Sequence, residues 1–93
     1  MLPNDEWILD YMRKAKYDHR TSPHAALQYL AENNIHYTEY EYQHLRAAIN
    51  RKMKIMEKYG MVRYTGETVS FNDKSKIWEV VEDALDLTGT RKR

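Results

Sequence analysis

A mainly α domain with one small β-hairpin is the fold class this sequence predicts, on three observations. Apolar residues recur at three- and four-residue spacing through most of the chain up to Tyr59, and the period drops to two just after Gly60. Three glycines and two prolines in 93 residues are too few for a turn-rich β-sandwich or a low-complexity chain. That length suits one core, and the 42% apolar and 12% aromatic shares supply the side chains to fill it. Zero cysteines exclude disulfide staples, thiolate catalysis and thiolate metal sites. No apolar run approaches the roughly 20 residues of a bilayer span, and no leader pattern opens the chain. A cytoplasmic protein without membrane association is therefore expected.

The first helix is expected from about Asp5 to Tyr17, where Trp7, Ile8, Tyr11, Met12 and Ala15 keep helical spacing. Pro3 and Asn4-Asp5-Glu6 suit its start, where a capping oxygen and negative charge are favoured. The polar stretch from Asp18 to Thr21 interrupts the pattern. Ser22-Pro23 then offers an N-cap with proline at the first helical position, opening a second helix that ends at Asn33-Asn34, where asparagine tolerates positive φ. Ile35-His36-Tyr37 reads either as a short strand or as an extended connector.

The third helix is the best marked. Thr38-Glu39-Tyr40-Glu41 has the form of a capping box, and Tyr37 and Tyr42 are spaced as a hydrophobic staple. From Glu39 the chain runs to Tyr59 without glycine or proline, and Gly60 closes it at C′. Tyr42, Leu45, Ile49, Met53 and Met56 form its apolar stripe, widened by Ala48 and Ile55. Lys52 falls near that stripe, so its stem should lie over apolar surface with the amine reaching water. After Gly60, Met61–Thr65 and Thr68–Phe71 read as two strands joined at Gly66-Glu67. An isolated ribbon is marginal in water, so this one must pack Met61, Tyr64 or Phe71 against the helices. Asn72-Asp73 caps an expected fourth helix containing Ile77, Trp78, Val80, Val81, Ala84, Leu85 and Leu87, ending near Thr88-Gly89. Residues 1–89 thus form a single domain and 90–93 a basic tail.

Helix, helix, connector or short strand, long helix, hairpin, helix is the order of a winged helix-turn-helix domain with an added C-terminal helix. The charge pattern fits a polyanionic partner. Between residues 39 and 64, Arg46, Arg51, Lys52, Lys54, Lys58 and Arg63 outnumber Glu39, Glu41 and Glu57, whereas acids dominate from 65 to 90.

The stretch from Ile49 to Tyr64 resembles the recognition-helix, glycine, hydrophobic-pair and wing segment of winged-helix transcriptional regulators. It is most similar to the small repressor-like proteins of haloarchaea and their phages, the phi-H repressor group. Arg51-Lys52, Met56 where leucine is usual, Gly60 and Met61-Val62 carry the resemblance, which spans roughly Ala25 to Phe71. It implies a DNA-binding repressor of archaeal or phage origin. Two features depart from the group: the expected wing tip, Thr65-Gly66-Glu67-Thr68, holds an acid where a base is usual, and the net charge of +1 is far from strongly acidic. The first argues against a minor-groove contact by the wing.

Opposite the apolar stripe, the third helix presents Tyr40, Gln43, Arg46, Ala47 and Asn50 as candidate base contacts. Asn and Gln suit adenine, Arg suits guanine, and Ala47 suits a thymine methyl. Arg51, Lys54 and His44 are candidate phosphate contacts, joined by Ser22 at the start of the second helix. A polar outer face is also what any surface helix shows, so the order of elements carries this reading. Trp7 and Ile8 with Ile77, Trp78, Val81 and Leu85 make more apolar surface than a small core readily hides. They are the expected homodimer interface, placing two third helices one DNA turn (~34 Å) or a multiple of it apart on a pseudo-palindromic site.

No catalytic residues are expected. The acids Glu6 and Asp10, and Glu79, Glu82, Asp83 and Asp86, lack a nucleophile, an oxyanion site or a phosphate loop beside them. His19, His24, His36 and His44 show no metal-binding spacing, and no cofactor or small-molecule effector is indicated. The expected function is sequence-specific binding of double-stranded DNA as a transcriptional regulator. The alternative is a winged-helix module that docks a protein through the third helix or the tyrosine-rich surface.

Overall fold

The fold was analysed in a computed structural model that describes residues 2–69 and 74–81. Its order is α1 (Asp5–Lys14), a 3-10 turn (Tyr17–His19), α2 (Ser22–Glu32), α3 (Glu39–Lys58), β1 (Val62–Thr68) and β2 (Lys76–Val80). The described chain is mainly helical with one antiparallel two-stranded hairpin. No helix among the described residues is long and apolar enough to cross a membrane.

Local chemistry sets the helix ends. Asn4 Oδ1 accepts from Trp7 N at 2.8 Å to cap α1. That helix stops at Ala15, short of the expected Tyr17, because the following chain is held elsewhere: Arg20 Nε donates to Ala15 O at 3.0 Å and Tyr11 Oη to His19 O at 2.7 Å. In α2 the cap is Thr21, one residue earlier than expected, with Oγ1 accepting from His24 N at 3.2 Å. Thr21 is fully buried, so this hydroxyl is sheltered from competing water. At the other end Asn34 takes φ 53°, and the bonds Asn34 N to Ala31 O and Ile35 N to Leu30 O form a Schellman motif. Residues 35–37 are irregular and join no strand. In α3 both bonds of the Thr38/Glu41 capping box are present, and the staple rings of Tyr37 and Tyr42 lie 6.3 Å apart. Gly60, at φ 78°, ends the helix through Gly60 N to Glu57 O and Met61 N to Met56 O.

The hairpin differs from the expected one. Gly66-Glu67 is not a turn. It lies inside β1, where the register slips between Tyr64 and Thr68, and Gly66 adopts φ 93°. Thr65 bridges the irregularity, its Oγ1 donating to Ile77 O at 2.9 Å while accepting from Glu67 N at 3.2 Å. Val62 pairs with Val80, Arg63 with Glu79 and Tyr64 with Trp78, so apolar, ionic and aromatic cross-strand pairs fix the register. Residues 76–80 are therefore a strand, which corrects the expected fourth helix over Ile77–Val80. The proposed cap Asn72-Asp73, the strand end Ser70-Phe71, the remainder of that helix with Leu85, and the tail 90–93 lie outside the described residues.

Trp78 N also donates to Arg20 O at 2.9 Å, adding a one-residue rung between β2 and the chain entering α2. This rung pins the hairpin against the helices. Trp78 is fully buried with Ile8, Met12, Ile49, Met53, Met56 and Val62, which join α1, α3 and both strands in one core. Lys52 Nζ reaches Asp5 Oδ1 at 3.2 Å, so the lysine at the edge of the apolar stripe links α3 to α1.

Candidate nucleic-acid interface

The start of α2, the outer face of α3 and the end of the hairpin enclose an open cleft of about 520 Å³. Ser22 and Pro23 form one wall. Gln43, Arg46, Ala47, Asn50 and Lys54 form the floor, and Lys74, Ser75 and Lys76 the opposite wall. Four of these ten side chains are cationic and none is a carboxylate, so the cleft presents concentrated positive potential in a chain whose net charge is only +1.

The hydrogen bonds hold several of these groups in place. Glu39 Oε2 accepts from Gln43 Nε2 at 2.7 Å, and Gln43 Oε1 accepts from Arg46 Nη1 at 3.1 Å. Along one face of α3 this chain of bonds orders the guanidinium. Across the cleft, Ser22 Oγ donates to Asn50 Oδ1 at 3.3 Å. On the hairpin, Lys76 Nζ sits 5.0 Å from the Tyr64 ring centroid and 5.9 Å from that of Trp78, so cation–π attraction steadies a charge at the rim.

Of the expected base contacts, Gln43, Arg46, Ala47 and Asn50 share the cleft, as do the expected phosphate contacts Ser22 and Lys54. Tyr40 and His44 do not. They stack on each other at 6.1 Å and line a second, more apolar cleft with Leu2, Tyr29, Leu30, Ile35, Tyr37, Glu41 and Leu45. Tyr40 is 77% exposed there. Arg51 is exposed and borders neither cleft.

Sequence reasoning missed Lys74, Ser75 and Lys76, because it placed the hairpin tip at Glu67 and put these residues at the head of a helix. A strand reading of Lys76–Val80 was the signal that would have found them. Glu67, expected at the hairpin tip, instead lies within β1 and accepts a 2.5 Å bond from Tyr17 Oη.

The expected dimer surface changes as well. Ile8, Ile77 and Trp78 lie inside the protomer's own core and offer no surface to a second copy. Trp7 is half-buried between Tyr11, stacked at 5.6 Å, and Tyr29, edge-on at 5.2 Å, and Val81 is half-buried beside Met61. His19 and His24 stack at 4.4 Å, with His24 Nδ1 2.7 Å from Thr21 Oγ1, and no group of three metal-ligating side chains occurs among the described residues.

No protein-family model, curated protein or solved structure matches the chain.

Proposed function

We propose that this protein binds double-stranded DNA sequence-specifically as a small transcriptional regulator, with α2, the intervening turn and α3 acting as a helix-turn-helix and the hairpin as a wing. One observation carries the reading: among the described residues, the cleft lining holds no carboxylate and brings Arg46 and Lys54, with Gln43, Ala47 and Asn50 on one face of α3, opposite Lys74 and Lys76 of the hairpin. An α-helix with side chains is about 10–12 Å across, close to the ~12 Å width of the major groove. Entry of α3 into the groove puts Arg46 and Asn50 against base edges and leaves Lys54, Lys74 and Lys76 to the flanking phosphates.

A second reading, docking of a protein partner, is favoured by the cleft in which Tyr29, Tyr37 and Tyr40 meet Leu30, Ile35 and Leu45. Mobility shifts over a salt series, using duplexes selected from random DNA, separate the two. DNA binding predicts log K falling steeply and linearly with log[salt], and Arg46→Ala costing about 1–3 kcal/mol selectively at one base position. Absent or salt-insensitive binding supports the docking module.

A further inference from the structure

The more apolar of the two clefts shares no residue with the cationic one. Its volume of about 610 Å³ falls within the ~300–1,000 Å³ of small-molecule sites, and it lies where the last turn of α2 meets the first turn of α3. Leu30 and Leu45 give it apolar walls, and Tyr29, Tyr37, Tyr40 and His44 bring four rings to it. Tyr40 stacks on His44 at 6.1 Å and still keeps most of its surface open. Charge in this lining is one-sided: among the described residues that form it, Glu41 is the single carboxylate and none is a lysine or arginine. The capping box fixes that carboxylate in place, because Glu41 Oε1 accepts from Thr38 N at 2.9 Å. The half-charges at the end of α2 and the start of α3 are opposite in sign and offset each other, which leaves Glu41 to set the sign of the site.

The face of an aromatic ring carries the negative part of its quadrupole and attracts a cation, most strongly one that gives up its water easily. An alkylated ammonium ion is such a cation. Its charge is spread over methyl groups that pack on rings and on aliphatic walls alike, and a nearby carboxylate supplies the countercharge. We infer that this cleft is a site for a small organic cation of the alkylated-ammonium class, held against the rings of Tyr37 and Tyr40 with Glu41 as its counter-ion. The site goes beyond the DNA-binding reading and does not rest on it, since the two clefts have no lining residue in common.

The probes are choline and its neutral isostere, the same alcohol with a tert-butyl group in place of trimethylammonium. Each is titrated into the full chain without DNA, at constant ionic strength and at about pH 8, where free imidazole is neutral. Amide and side-chain NMR shifts are read at Tyr37, Tyr40 and His44. Choline is expected to shift these residues saturably and to bind about tenfold more tightly than the isostere. Glu41→Gln keeps an oxygen to accept from Thr38 N, and Tyr40→Leu keeps an apolar side chain at an exposed position. Each is expected to weaken choline about threefold and leave the isostere unchanged, with melting temperatures close to that of wild type. Absence of a saturable shift with choline, failure of either substitution to weaken it, or equal binding of the two probes overturns the inference; equal binding marks the cleft as an apolar docking groove instead. None of these outcomes bears on DNA binding, which the mobility shifts over a salt series test separately.

Discussion

Tyr11 shows how a single side chain couples local geometry to stability. Burial of its phenol, whose Oη donates to His19 O at 2.7 Å, raises its pKa from 10.0 to about 12. The folded state thus favours the protonated phenol more strongly than the unfolded chain does. That contribution is fully present below pH 10, and ionisation removes it as pH rises toward 12. Denaturant melts of wild type and Tyr11→Phe should therefore converge between those values, with wild type losing stability more steeply; parallel pH profiles would exclude the coupling. Glu32 moves in the opposite direction. Hydrogen bonds from Gln28 Nε2 and Trp7 Nε1 hold its carboxyl below the ordinary value, so its contribution is present at neutral pH and lost as the solution is acidified through the lowered pKa. The Trp7–Glu32 pairing was not legible in the sequence, because the two residues are 25 positions apart and meet only once α1 and α2 pack.

Helices were the legible elements, since their boundaries are written in short-range chemistry. Thr38 and Glu41, Asn34, and Gly60 each act within a few residues of themselves, and each end formed close to where the sequence placed it. Replacing Thr38 by Ala removes the side-chain half of the capping box and should cost about 1 kcal/mol, read as a lowered denaturant midpoint with unchanged slope. A loss under a few tenths would mean that α3 is anchored by packing alone. The hairpin was less legible because Ile77, Trp78, Val80 and Val81 satisfy a helical stripe as readily as a buried strand. What decides between them is non-local: β1 is available as a partner, Arg20 O accepts from Trp78 N, and the core has room for the indole. Gly66 misled for a related reason, since positive φ suits both a tight turn and a bulge.

At the scale of the molecule, the one-residue rung at Arg20 matters most for function. It fixes the hairpin beside the start of α2, and so brings Lys74 and Lys76 across from Ser22 with Arg46 and Asn50 between them. The α2 and α3 side of this cleft was legible, because helical periodicity assigns faces; the hairpin side was not, because it depends on strand pairing. Among the described residues the cleft lining holds four cations and no carboxylate, so a net charge of +1 concealed a local field. The most direct measurement is an amide and side-chain NMR titration of the protein with a selected duplex at low salt. Shifts clustering at Ser22, Gln43, Arg46, Ala47, Asn50, Lys54 and Lys74–Lys76, and receding as salt is added, are the predicted result. Shifts confined to Tyr37, Tyr40, His44 and their neighbours, or none at saturating duplex, would contradict the account.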